Sequence, residues 1–168
     1  MNLFVLSLAA SMLFAQPNSG KNRIESSGLP VEMTAKGGLR VDLEKKLGFA
    51  KTDVVIRRAD VTVCCDEAVA SYSRDQIEKV ECKGRVVIVR PDGTTARADR
   101  AVFIANKDQL SLTGAATLES ETTKLTGDEI IYDIAKDKLF VKGKNSRFRF
   151  IPQDQRKSKH RMERKCPN

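Results

Sequence analysis

Residues 66–84 read DEAVASYSRDQIEKVECKG, residues 99–114 read DRAVFIANKDQLSLTG, and residues 128–143 read DEIIYDIAKDKLFVKG. The first copy is three residues longer than the others, and each copy opens with an aspartate and closes with a glycine. A unit repeated in series predicts a supersecondary element stacked on itself, because each copy covers the apolar stripe of the next. The repeated positions, interpreted as structural corners, are Asp66, Asp99, Asp128, Gly84, Gly114 and Gly143.

Each copy alternates apolar and polar residues on both sides of a short polar turn, the pattern of a two-stranded antiparallel hairpin. Phe103 is therefore expected opposite Leu110, and Tyr132 opposite Leu139. The three additional residues of the first copy lie in the charged segment 73–79, where a longer turn is expected.

The alternation changes phase just before each repeated aspartate, at Cys65/Asp66, Ala98/Asp99 and Gly127/Asp128. Such a slip turns an inward stripe outward, so a β-bulge or corner is predicted there. The carboxylate is expected to bond backbone groups left unpaired at the corner. A structural role is favoured over catalysis by carboxylates aligned along the stack.

The segments that flank the hairpins extend the pattern. Further strands are predicted at 86–89 and 116–118. Residues 31–41 and 48–56 resemble a weaker leading unit, with Thr52 in the place of the closing glycine. An atypical terminal unit is what a stack requires as a cap.

Length and composition together predict one all-β domain at 31–151. The 168 residues fit a single domain, and no apolar period of 3.6 residues runs through 24–151. A hairpin loop at 42–47 is favoured over a helical turn.

The N-terminal apolar run, from Leu3 to Ala15, is too short to span a bilayer and ends near Ala15 in a cleavage-like neighbourhood. A signal peptide at 1–15 and a flexible lead-in at 16–30 are predicted, with a retained membrane anchor or a buried strand as alternatives.

Cysteine and histidine usage restricts the chemistry. Cys65 and Cys82 are predicted to share the inner face. A structural disulfide that involves Cys82 is one alternative, and spacing leaves the connectivity of Cys64, Cys65, Cys82 and Cys166 open. His160 is the only histidine, which disfavours a zinc site and a histidine-based catalytic triad. No catalytic residue, metal or cofactor is predicted; polysaccharide chemistry by carboxylates is the remaining enzymatic alternative.

The net charge of +8 is uneven. The segment 153–168 carries half of that excess and is interpreted, with Pro152, as a disordered basic tail at 152–168. It either solubilises the protein or attracts an anionic partner such as a phosphorylated lipid or membrane surface. Nucleic acid is disfavoured, since the body has no aromatic stacking platform.

The modules TVCCDEAVASY, TARADRAVFIANKDQLSLTGAATLE and KLTGDEIIYDIAKDKLFVKG resemble the OstA-like repeats of the LptA family, over roughly residues 31 to 143. The resemblance implies a twisted β-jellyroll of stacked antiparallel strands, open along one edge, that shields the acyl chains of lipopolysaccharide (lipid A) in the periplasm. It also implies end-to-end self-association and a bridge from an LptC-like inner-membrane partner to an LptD-like outer-membrane partner. An inner-membrane-anchored LptC-like relative is an alternative identity.

The inward stripe would then line a lipid-binding groove, although the same residues also suit the closed core of a polymerising envelope scaffold. The predicted lining consists of Val63, Ala68, Ala70, Tyr72, Val80, Val86, Ile88, Ala96, Ala98, Ala101, Phe103, Leu110, Leu112, Leu118, Leu125, Ile130, Tyr132, Leu139 and Val141.

Overall fold

The protein forms one antiparallel sheet of ten strands in a computed structural model that describes residues 30–58, 61–74 and 76–152. The all-β prediction is confirmed, since helix within these ranges is limited to the 3-10 turn Ala105–Lys107. The strands are β1 Val31–Thr34, β2 Leu39–Asp42, β3 Leu47–Arg58, β4 Val61–Ser73, β5 Gln76–Val89, β6 Thr95–Ile104, β7 Gln109–Glu119, β8 Thr123–Asp133, β9 Lys138–Lys142 and β10 Arg147–Phe150.

The strand order follows the chain. β3 to β8 are joined as successive antiparallel neighbours, β1 and β2 both pair with β3, and β9 and β10 both pair with β8. Each edge of the sheet is therefore built from two short strands. The predicted cross-strand pairs are confirmed, with Phe103 opposite Leu110 and Tyr132 opposite Leu139.

Two local predictions were wrong. The segments 86–89 and 116–118 are not separate strands, because β5 and β7 run through their glycines without interruption. The longer first copy has no longer turn either. Ser73 pairs with Gln76, and a register shift beside Tyr72 absorbs the additional length within the strands.

Every long strand changes register along one line across the sheet, which we call the corner line. Pairs of residues on β3, β5 and β7 each lie opposite a single aspartate of the next strand. All six residues of these pairs have positive φ, between 42° and 81°. The corners predicted at the three repeated aspartates are confirmed, and the extra residue at each lies on the strand opposite the aspartate. The pairs are Thr52 and Asp53, Gly84 and Arg85, and Gly114 and Ala115.

The corner line divides the sheet into two layers. The first layer contains 39–42, 47–51, 67–73, 76–83, 100–104, 109–113, 129–133 and 138–142, and the second contains 31–34, 54–58, 61–64, 86–89, 95–98, 116–119, 123–127 and 147–150.

The inward faces of the two layers form one apolar core. Leu112 and Ile130 of the first layer, and Val54 and Val86 of the second, are the largest side chains that are fully buried. Because one cluster unites residues from both sides of the corner line, the sheet is folded onto itself along that line.

Several predictions fall outside the described residues: the signal peptide, nearly all of the lead-in and the tail, His160 and Cys166. Among the residues that are described, no helix is long and apolar enough to cross a membrane.

Candidate functional site

The inner face is apolar from one edge of the sheet to the other. Residues paired across neighbouring strands point to the same face, so the register gives the rows directly. Two rows cross the first layer and one crosses the second. They are Leu39, Ala50, Ala68, Cys82, Ala101, Leu112, Ile130 and Val141; Val41, Gly48, Ala70, Val80, Phe103, Leu110, Tyr132 and Leu139; and Met33, Ile56, Val63, Ile88, Ala96, Leu118, Leu125 and Phe148.

Most of the predicted lining residues lie on these rows; Val86 and Ala98 lie on the inner face beside the corner line, and Tyr72 is half-buried at the end of β4. Leu139 departs from the expectation that it would be enclosed. It is 41% exposed, because β9 is an edge strand and no further strand covers it.

Four members of the buried core cluster were absent from the residues predicted to face inward: Ala50, Val54, Ile56 and Ala116. The first three belong to β3, whose corner is made by Thr52 and Asp53 and so lacks the Asp-Gly signature. The alternation of Val54 and Ile56 was the signal in the sequence that could have indicated their burial. Ala116 directly follows a corner, where the phase of the alternation cannot be extrapolated.

Both edges of the sheet expose inward-facing apolar side chains. Leu39 and Val41 are 53% and 57% exposed on β2, and Phe148 is 67% exposed on β10, whereas the middle of the same rows is buried. The apolar inner face is therefore closed in the middle of the molecule and open at both of its ends. We call this folded sheet with open ends the trough.

The repeated aspartates lie against the repeated glycines. A Cβ atom built on Gly84 would lie 2.3 Å from Oδ2 of Asp66, and one on Gly114 would lie 2.3 Å from Oδ2 of Asp99. The third pair, Asp128 and Gly143, gives 2.4 Å. Two features require glycine at these positions: the backbone has positive φ, and the carboxylate packs against the Cα atom where a Cβ would stand.

The aspartates also bond at the corners. The backbone N–H of Lys144 donates to Asp128 at 3.2 Å, and the Arg85 Nε–H donates to Asp66 Oδ1 at 2.9 Å. The salt bridge with Asp66 raises the pKa of Arg85. One carboxylate is placed in each hairpin along the corner line, in contact with the neighbouring strand.

The cysteines differ in environment. Cys65 and Cys82 are free thiols in the core. A hydrogen bond between them, together with burial, raises the pKa of Cys82. The same hydrogen bond lowers the pKa of Cys65. Cys64 is disulfide-bonded. In 30–58, 61–74 and 76–152, no group of three or more side chains is arranged to hold a metal ion.

The outer face is charged. Glu81 faces outward on β5, where Lys79, Lys83 and Arg100 approach its carboxylate to 3.1, 3.2 and 2.9 Å. Burial raises the pKa of Glu81, but the three cations together outweigh burial and hold the pKa below its usual value. The sheet thus separates an apolar inner face from a polar outer face.

On the side of the trough far from the corner line, which we call the mouth, two arginines at or just beyond the strand ends of the second layer reach towards the first layer. The guanidinium carbon of Arg58 lies 5.9 Å from the ring centroid of Phe103 in the first layer. Arg90 interacts with the hydroxyl of Tyr132, which donates a hydrogen bond to Asp137. Burial and the bond to Asp137 raise the pKa of Tyr132, and Arg90 opposes that rise.

An antiparallel sheet folded along one line, apolar within, charged outside and open at its ends defines a β-jellyroll that is open along one edge. Residues 32–138 match the family described as LptA/(LptD N-terminal domain) LPS transport protein. The chain belongs to this family of lipopolysaccharide transport proteins, as the repeats predicted.

A solved structure has the same fold. It is the crystal structure of LptH, the LptA-homologous periplasmic component of the conserved lipopolysaccharide transport device from Pseudomonas aeruginosa. The match has a TM-score of 0.63 and 15% sequence identity, and it covers 74% of this chain and 95% of that one. No curated protein matches the chain.

Proposed function

We propose that this protein is a periplasmic carrier that shields the acyl chains of lipopolysaccharide between the two layers of the trough. The observation that carries the proposal is the apolar inner face, which continues from β2 to β9 and β10 and remains exposed at both ends. Each methylene removed from water contributes about 0.8 kcal/mol. A long apolar path is therefore what several acyl chains need in an aqueous compartment, and no bond has to be made or broken.

The middle of the inner face is packed, so lipid entry requires the two layers to separate. Small side chains occupy much of this face, among them Ala68, Ala96, Ala98 and Ala101. Their burial forms few contacts each, which lowers the cost of opening relative to a core of large side chains. Acyl chains that replace these contacts would restore the apolar burial.

The packed interior also favours a second candidate, a closed β-scaffold of the cell envelope that carries nothing. Ala50, Val54 and Ala116 are at most 1% exposed, as in an ordinary sandwich core. A scaffold would keep the repeats, the corners and the open edges, but its layers would never part.

Native mass spectrometry of the exported protein distinguishes the two candidates. The carrier is expected to form a complex with lipid A and none with the deacylated core oligosaccharide, because only the acyl chains enter the trough. Failure to bind lipid A would support the closed scaffold, and equal binding of the deacylated sugar would place recognition outside the trough.

We further propose that copies of this protein join end to end and contact jellyroll partners of the LptC and LptD type. The edge strands present unpaired hydrogen-bonding rows that favour strand addition. The exposed inward residues Leu39, Val41 and Phe148 would then be covered by the next unit. Such a joint would continue the apolar path from one molecule to the next.

Export through a signal peptide cleaved near Ala15 is part of this proposal. LptH, which shares the fold, is a periplasmic component of its transport device. The intact mass of the protein isolated from the cell envelope tests the cleavage, since retention of residues 1–15 would indicate an anchored, LptC-like form.

A further inference from the structure

A short motif outside the hairpin repeats recurs in the second layer. Residues 54–58 read VVIRR and residues 86–90 read VVIVR, so both follow the pattern Val-Val-Ile-x-Arg. Both copies begin directly after a corner pair, Asp53 in one case and Arg85 in the other. The motif therefore occupies the same place in β3 and β5, from the corner line to the mouth.

Alternation places the arginines of this motif on the inner face. In β3, Val54 and Ile56 are buried in the core, and Arg58 is the next residue of the same face. Arg90 likewise stands two residues beyond Ile88, and its backbone N–H donates to Thr94 at 3.0 Å, which extends the pairing past the end of β5. An inward stripe that is otherwise apolar thus ends twice in a cation at the mouth.

Each of these arginines reaches across the mouth to the aromatic side chain that occupies the same position in its hairpin repeat. The guanidinium carbon of Arg58 lies 5.9 Å from the ring centroid of Phe103, four residues after Asp99. Arg90 interacts with the hydroxyl of Tyr132, four residues after Asp128. In both cases the contact joins a strand to the third strand further along, β3 to β6 and β5 to β8. The two aromatic partners thus occupy equivalent positions, although Arg58 meets the face of a ring and Arg90 meets a hydroxyl.

The chemistry of this contact leaves the arginines available to an anion. Arg58 lies over the ring of Phe103, which occupies the face of its guanidinium and leaves the N–H donors in the guanidinium plane. Arg90 meets the Tyr132 hydroxyl instead, and a guanidinium that donates to one hydroxyl keeps further N–H donors for a ligand. Asp92 approaches Arg90 only to 3.8 Å, and the Arg90 side chain is 43% exposed. The aromatic neighbour also restricts the arginine, which reduces the entropy lost when a ligand binds.

We propose that Arg58 and Arg90 form a phosphate-binding pair at the mouth of the trough, which holds the phosphorylated polar end of a lipid whose chains lie inside. This inference rests on the proposed carrier function. The guanidinium fork matches the oxygens of a phosphate group. Apolar residues below the pair and solvent above it match the two ends of such a lipid.

The test compares bisphosphorylated lipid A with enzymatically dephosphorylated lipid A, each binding to the native protein and to the double variant Arg58→Gln, Arg90→Gln. Arg97→Gln is the matched control, because Arg97 is exposed on the outer side of the same layer. The double variant is expected to bind bisphosphorylated lipid A at least about tenfold more weakly, as for loss of a charge-assisted hydrogen bond. Its binding of the dephosphorylated lipid and its thermal unfolding are expected to match those of Arg97→Gln.

Each other outcome has a distinct meaning. Equal losses for both lipids would overturn the phosphate site and leave Arg58 and Arg90 as structural closures of the mouth. An unchanged affinity for the bisphosphorylated lipid would overturn it as well. If the native protein bound neither lipid, the carrier function itself would fail. Competition by millimolar inorganic phosphate would assign the pair to free phosphate and overturn the lipid assignment.

Discussion

At the scale of single residues, the corner line depends on glycines that differ from the other glycines of the chain. Gly114 and Gly93 have almost the same φ, 81° and 82°, yet a Cβ on Gly93 would meet nothing within 4 Å. A Cβ on Gly114 would lie 2.7 Å from the Cβ of Asp99. The pair therefore separates the cost of backbone conformation from the cost of the collision.

We predict that Gly93→Ala lowers the free energy of unfolding by about 1–2 kcal/mol, the cost of a left-handed alanine. Gly114→Ala is expected to cost more than about 3 kcal/mol, because the short Asp99 side chain cannot move aside without its backbone. Urea denaturation followed by circular dichroism measures both.

In an Asp99→Gly background, which removes both the carboxylate and the Cβ that the new methyl group would meet, the additional cost of Gly114→Ala should fall to the level of Gly93→Ala, as a double-mutant cycle would show. Equal costs for the two single variants in the native background would contradict the close packing of Asp99 on Gly114.

The residue scale also marks a limit of sequence-based prediction. The phase changes at Cys65, Ala98 and Gly127 indicated that a corner exists, because alternation exposes any slip of one residue. The strand that carries the extra residue was not indicated, since that depends on which side of the pair adopts positive φ. Thr52 and Asp53 have positive φ without being glycine, so the indication of this corner came from the alignment that put Thr52 in the place of the closing glycine.

At the scale of strands, the two edges of the sheet determine how the molecule assembles. β2 carries Val41 and β10 carries Phe148 on the inner face, and both side chains are mostly exposed. Substitution by aspartate should leave the core intact and place a charge in the proposed joint. A buried, unpaired charge strongly opposes association.

We predict that Val41→Asp and Phe148→Asp are each monomeric alone but form a 1:1 dimer when mixed. In a head-to-tail joint, the intact β9/β10 edge of the first variant meets the intact β1/β2 edge of the second. Sedimentation velocity of the single variants and of their mixture measures this.

Val69→Asp, on the outer face in the middle of the sheet, is the control and should assemble as the native protein does. Dimers of either single variant alone would indicate that like edges pair with each other. A native protein that is monomeric at all concentrations would contradict the joint.

Strand pairing was the most predictable level of the structure. Short polar turns fix the register of their hairpins, so the opposition of Phe103 and Leu110 followed directly from alternation. The continuity of β5 and β7 did not, because a glycine within a strand and a glycine between two strands give the same local signal. The exposure of Leu139 follows from the position of β9 at an edge of the sheet, and no local sequence pattern indicates which strand lies at an edge.

At the scale of the whole molecule, the proposed carrier function requires the inner face to hold acyl chains while the outer face stays in water. The charged group around Glu81 and the rows that end at Leu39 and Leu139 are opposite faces of the same strands. Composition limited the chemistry, and the resemblance of the repeats identified the family. The close packing of the two layers could not be anticipated from an alternating stripe, since the same stripe suits a groove and a core.

The most direct test of this account is photocrosslinking in cells from a benzoylphenylalanine probe at Phe103, with a second probe at Val102. These residues are neighbours on β6, but Phe103 pairs with Leu110 on the inner face and Val102 with Ser111 on the outer face. We expect lipopolysaccharide adducts from position 103 and none from position 102. A folded, exported protein without adducts at position 103, or with equal adducts at both positions, would contradict transport through the trough.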